Sequence, residues 1–398
     1  MKTKCGFLLV IFLCGFLNVI NGQSAKDKNP VYDYEGLAQK IVNQCAAVKE
    51  NDIVLIYGGV KNMELLEDIA ANVMKNGGYP LISVWSDRLT KRYLAEVPAK
   101  YDTRSPKLDM DLYGFVNVII SVSYSESEDL LSDIDPQRLA TIRNASLPAQ
   151  ELYFKRNIRG VNLGNGLYPT AALAKEFGIS IDELTEIYWN GVNVDYTWLE
   201  ATGREVSKMF AAGKEVQITN ANGTDLKVGI VNRKVLVSNG IMSPEDLAGG
   251  SPERQKYLPA GEVFMSVVPG TAEGKVIVDH FFYNGKDIPG LTLIFKAGKL
   301  VSMTAQSGLE PLKALYDASA EGKEDFSIID IGINPNVKQI PGTDFASYVS
   351  SGMVTIGQGN NLWSGGDNKC PFGITYFLPG STLKIDGKVL IENGVPKF

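Results

Sequence analysis

The sequence predicts an α/β N-terminal domain with a mostly parallel sheet, followed by an α+β, β-rich C-terminal domain. Three observations carry this reading. In the first half, buried-strand runs alternate with helical periodicity, as in βαβ units. Beyond about residue 214 the texture changes to short alternating strands joined by Asn-Gly and Asp-Gly turns. The length of 398 residues exceeds one ordinary core and suits two. The expected division is 1–22 signal peptide, 23–213 α/β domain with bridging helices, and 214–398 β-rich domain.

The signal peptide is read from Lys2 and Lys4 ahead of the apolar run Phe7 to Leu17, ending at Ile20-Asn21-Gly22. That apolar core is too short for a permanent membrane span. Cys14 follows Phe12-Leu13, which lack the small residues of a lipoprotein signal, so simple cleavage near Gly22 and an exported, periplasmic or secreted, chain are expected. Removing Lys2 and Lys4 takes the basic count from 39 to 37 against 45 acids, a net charge of −8 in place of −6. No basic run offsets phosphate charge, which argues against a nucleic-acid partner.

After a polar arm, Leu37, Ile41 and Cys45 recur at helical spacing over Tyr34 to Val48. Ile53 to Ile56 reads as a buried strand. Leu65, Leu66, Ile69, Ala70 and Val73 share one face of a helix from Met63 to Lys75, stopped by Gly77-Gly78. Tyr79 to Val84, Gly114 to Val122 and Arg159 to Leu163 are the next strands. Neither Gly58-Gly59 nor Gly160 through Gly166 gives the Gly-x-Gly-x-x-Gly that opens a helix in dinucleotide sites. Ser180 with Glu183 suggests a capping box, and a long helix from Tyr196 to Ala212 stops at Gly213.

The second half begins with Glu215 to Thr219, the Asn222-Gly223 turn and Leu226 to Val231. Lys234 to Val237 and a long loop, Ser238 to Lys256, lead into Leu258-Pro259-Ala260-Gly261-Glu262-Val263-Phe264, a carboxylate between a Pro/Gly turn and an apolar strand. Further strands are expected at Lys275 to Phe282, Leu291 to Lys296, Leu300 to Ala305, Phe326 to Ile333, Met353 to Ile356 and Phe372 to Leu378, with one helix from Glu310 to Ala320.

Outside the signal only Cys45 and Cys370 remain. They could pair across a long loop or stay as two buried thiols. With the single histidine His280 they exclude the common Cys/His zinc frameworks. His280 lies on one face of a strand with Val276 and Val278, and no nucleophile elbow serves it, so a structural or surface role is expected. Tyr188-Trp189, Tyr196 and Trp198 could line a peptide groove, although helical spacing favours packing. The sequons at Asn144 and Asn222 matter only in a host that glycosylates exported proteins.

The order of elements resembles the aminopeptidase T family over nearly the whole mature chain. The motifs are Asn222-Gly223-Thr224-Asp225-Leu226, Leu258 to Phe264, Phe295 to Val301, Ile331-Gly332-Ile333-Asn334-Pro335 and Gly365-Gly366-Asp367-Asn368. The resemblance implies a homodimeric two-domain protein whose second domain holds two divalent metals, such as zinc or cobalt, and releases N-terminal residues from peptides. Two cations would polarise the scissile carbonyl and activate a bridging water.

The family's ligands are two glutamates, two histidines and an aspartate, with a tyrosine nearby. The first glutamate falls on Glu262. The remaining positions fall on Ile328, Met353, Gly373 and Thr375, and the tyrosine on Asn360. Five of the six are substituted, and none of the replacements is a strong metal ligand. No metal cofactor is therefore expected, and the chain reads as a degenerate relative keeping its cleft for a peptide or small ligand. Glu262 is then either a surviving ligand or a carboxylate tying its own turn. Asp330, about 7 Å along the strand from Ile328 and facing the same way, is the one candidate to rescue a single-ion enzyme. Its plainer reading is an acid at the strand's end.

Overall fold

The computed structural model describes residues 32–398 except 124, 128 and 129, so the expected signal peptide lies outside the described residues. Asp33–Phe398 form one compact unit built on three sheets. The first is all parallel, in the order Tyr79–Trp85, Ile53–Gly59, Val118–Val122, Arg159–Leu163 and Gln255–Leu258. Val54, Leu55 and Ile56 are fully buried on both faces of their strand, as helices on either side of a parallel sheet require. The helix Met63–Lys75 buries Leu65, Leu66, Ile69, Ala70 and Val73, the face its periodicity assigned.

Two departures from the sequence reading have local causes. The first helix runs Tyr34–Lys40, continues as a wider π turn over Ile41–Cys45 and then stops. The carbonyls of Ala46 and Ala47 accept hydrogen bonds from the Arg159 guanidinium, which also pairs with Asp52 at 2.6 Å. The third strand begins only at Val118, because the amides of Phe115 and Val116 still bond back to Leu112.

The fifth parallel strand, Gln255–Leu258, lies within what reads in sequence as the end of a loop. Its strand character is masked by Lys256, which is 1 % exposed and pairs with Asp246 at 3.0 Å. Pro259, Ala260 and Gly261 then carry the chain straight into Glu262–Ser266 of another sheet. The first layer thus takes a strand from well beyond residue 214.

The other two sheets are antiparallel, as the β-rich second domain requires. An eight-stranded sheet runs from Lys299–Thr304 to the C-terminal Val395–Pro396. Its hairpins turn at Asn284-Gly285, Ala297-Gly298 and Asp386-Gly387, all at positive φ, the geometry that matches strand twist in two-residue turns. The five-stranded sheet has the order Gly373–Phe377, Val354–Gly359, Phe326–Gly332, Glu262–Ser266 and Val235–Ser238. It carries most positions singled out in sequence. Cys45 and Cys370 are free and buried. Among the described residues no helix is long and apolar enough to cross a membrane.

Candidate functional site

Glu262 opens a central strand, opposite Gly332 on one side and Ser238 on the other. The turn before it is fixed by two contacts. Gly261 has φ +127° and lies against Asn334. Fully buried Asn334 donates from Nδ2 to the carbonyls of Ala260 at 2.7 Å and Gly191 at 3.0 Å. Asn165 donates to Glu262 Oε1 and, at 3.2 Å, to the carbonyl of Pro259. Glu262 is only 3 % exposed. Burial drives its carboxyl up to about 7, against the opposing effect of the Asn165 hydrogen bond.

Paired residues in antiparallel strands share a face. Glu262 stands opposite Gly332, so Asp330 and Ile328, two and four residues back, lie on the same side. Asp330 is not an acid at a strand's end. It sits inside its strand, fully buried, and neither carboxylate oxygen has a hydrogen-bond partner. Thr355, directly across from it, has a buried Oγ1 equally without a partner. Burial first, and then the Glu262 charge, push the Asp330 carboxyl well above the ordinary carboxylate range. Burial also raises the phenols of Tyr257 and Tyr348, and both acids add to that rise.

A cavity of about 690 Å³ lies over this face. Glu262, Ile328, Asn360, Gly373 and Thr375 all line it, so the structure brings together five of the positions aligned from sequence. Met353 and Asp330 are not on its wall. Met353 is fully buried beside Gly332, whose amide donates to the Met353 carbonyl at 3.0 Å. The Thr375 hydroxyl bonds the Tyr348 phenol. Asn360 Nδ2 donates to the Cys370 carbonyl at 3.0 Å and to Gln150 Oε1 at 3.3 Å.

Sequence reasoning missed Arg143, Asn165, Tyr257, Tyr348 and Trp363, which also line the cavity. One signal was available for Asn165. It lies in Gly164-Asn165-Gly166, immediately after a parallel strand, and ligands of α/β sheets gather at the carboxyl ends of strands. His280 does not line this cavity; it is half-exposed and paired with Asp287 at 3.1 Å. Tyr188 and Trp189 pack edge-to-face in their helix, and Trp198 is exposed.

A two-metal centre does not fit these donors. Two divalent ions carry four positive charges, whereas this face offers two carboxylates, Glu262 and Asp330, and no imidazole. Among the described residues no three His, Cys, Asp or Glu side chains gather as a ligand set.

A parallel α/β layer is joined here to a β-rich layer, with a cavity over the buried glutamate. Residues 32–324 match the thermophilic metalloprotease (M29) family, and the chain belongs to that family. Aminopeptidase 2 of Geobacillus stearothermophilus is 26% identical over 305 residues, 71% of this chain and 72% of that protein. Wild-type AmpT from Thermus thermophilus superposes with a TM-score of 0.70 at 16% identity, over 92% of this chain and 99% of that one. A 2,5-dihydroxypyridine dioxygenase from Pseudomonas putida KT2440 shares the fold more loosely, at a TM-score of 0.54 and 13% identity over 91% and 96% of the two chains.

Proposed function

We propose that this chain is an exported, catalytically degenerate M29 protein that keeps its cleft to bind a peptide or small ligand. The supporting observation is the composition of the cavity wall. Glu262 stands there among Ile328, Asn360, Gly373 and Thr375, an open cavity whose wall is poor in metal donors, and this supports binding without metal chemistry. Had the site been converted to core, Ile328 and its neighbours would have closed it. Export rests on the N-terminal Lys2, Lys4 and Phe7 to Leu17 pattern.

Metal analysis and an aminoacyl reporter assay on the purified mature chain test this reading. The expected result is no stoichiometric zinc or cobalt after desalting and no release of N-terminal residues when either metal is added. Tightly bound metal together with hydrolysis would overturn it.

A second reading, a metallo-aminopeptidase with one ion held by Glu262 and Asp330, draws on the two unpartnered oxygens of Asp330. It requires Glu262→Gln to abolish a metal-dependent activity while the fold survives. Equal activity in that variant would dismiss it.

A further inference from the structure

We propose that the cavity selects a zwitterion, a free amino acid or short peptide, with its ammonium on Glu262 and its carboxylate on Arg143. This rests on the reading of the cleft as a binding site. The charge pattern of the wall carries the inference. Among the described residues that line the cavity, Glu262 is the one carboxylate and Arg143 the one cation. The other polar groups, such as Asn162, Asn165 and Gln150, are neutral hydrogen-bonding side chains.

Both charged groups are available to a ligand. Glu262 uses Oε1 to accept from Asn165, and Oε2 has no hydrogen-bond partner among the described residues. A nearly buried carboxylate with one neutral donor is a strong acceptor for a primary ammonium, which brings three N–H groups and the missing charge. Tyr257, Tyr348 and Trp363 supply aromatic wall, a surface that favours a cation. Arg143 comes from the helix Pro136–Lys155, where Arg143, Leu147 and Gln150 follow one another at helical spacing along the cavity. Among the described residues Arg143 has no ion pair or hydrogen bond, and its charge acts on the neighbouring Tyr283 phenol, so its planar fork keeps its donors for a carboxylate.

Other occupants match less well. A phosphate-rich ligand would meet one guanidinium and a buried acid, and a purely apolar ligand would leave Glu262 desolvated without a partner. The volume of about 690 Å³ accommodates a free amino acid or a peptide of a few residues.

The test is calorimetric titration of chelator-treated mature protein at pH 8 with leucine, Leu-Gly and Leu-Gly-Gly, and with each as its N-acetyl and C-amide derivative. At least one zwitterion is expected to bind, with N-acetylation weakening it at least tenfold. Glu262→Gln should weaken the same ligand at least tenfold. Arg143→Gln, a change on a helix surface that leaves the fold intact by circular dichroism, should remove the preference for the free acid over the amide.

Absence of binding across the panel, or acetylated and free forms binding within twofold, would overturn the inference. So would an Arg143→Gln protein that still prefers the free acid. Failure of the degenerate-enzyme reading shows separately, as cleavage of the peptides by metal-loaded protein.

Discussion

Raising the pH from 4.5 to 7 is expected to destabilise the folded protein by on the order of 3 kcal/mol, through the buried Asp330 and, beside it, Glu262. The Glu262 carboxyl rises from 4.5 in the unfolded chain to about 7 in the native state because burial removes water from the charged form, and each unit of pKa corresponds to about 1.4 kcal/mol. The sign follows from linkage. Between the two values the native state holds a proton that the unfolded state has released, so stability falls as pH rises, and the contribution is present in full only below 4.5. Asp330 acts in the same direction, since it too is raised by burial and by the Glu262 charge. Urea unfolding at pH 4.5, 6 and 7.5 measures the effect against Glu262→Gln and Asp330→Asn, which keep the shape and carry no titrating proton. Both variants should gain on the wild type as pH rises. Parallel stability profiles for all three proteins would show that the two acids do not hold native-state protons.

Gly261→Ala should destabilise the chain by about 3 kcal/mol or more, through two causes that add. At φ +127° a side chain costs on the order of 1–3 kcal/mol in backbone strain. The new methyl would also stand 2.7 Å from Asn334 Cβ and 2.9 Å from its amide nitrogen, an overlap of the kind that costs about 1–3 kcal/mol in a packed interior. Asn334 cannot retreat without releasing the carbonyls of Ala260 and Gly191. Gly380→Ala is the control, because Gly380 also has positive φ but an added Cβ there meets nothing within 4 Å. Its cost should be about 1 kcal/mol. Comparable losses in the two variants would mean that the Asn334 contact contributes nothing.

The layers and most strands could be read in the sequence because apolar period and turn chemistry are local signals. Val54 to Ile56, the Met63–Lys75 helix and the Asn-Gly and Asp-Gly hairpins each declare themselves within about a dozen residues. What escaped depended on partners distant in the chain. Lys256 hides a strand because its charge is met by Asp246 in a short neighbouring helix. The π turn at Ile41–Cys45 ends against Arg159, more than 110 residues away.

The site shows the same division. Motif spacing located Glu262, Ile328, Asn360, Gly373 and Thr375 around one cavity, yet it also placed Met353 there, which packs into the interior. Counting along a strand gives the face a residue occupies and not its depth, which is also why Asp330 read as a peripheral acid. Arg143 and Trp363 had no local signature, since a helix residue and a loop aromatic become wall only when the fold brings them over the sheet.

The passage from Leu258 to Glu262 gives the two sheets a short mechanical link. Three residues separate the edge of the parallel sheet from the carboxylate, and two of those three are bracketed by Asn165 and Asn334. Opening motions that part the layers at this end would have to stretch that segment or strip a strand from one sheet. The amides of Gln255–Leu258 and Glu262–Ser266 should therefore exchange with solvent as one cooperative unit, with Trp363 packed against Tyr257 and Phe264 as part of it.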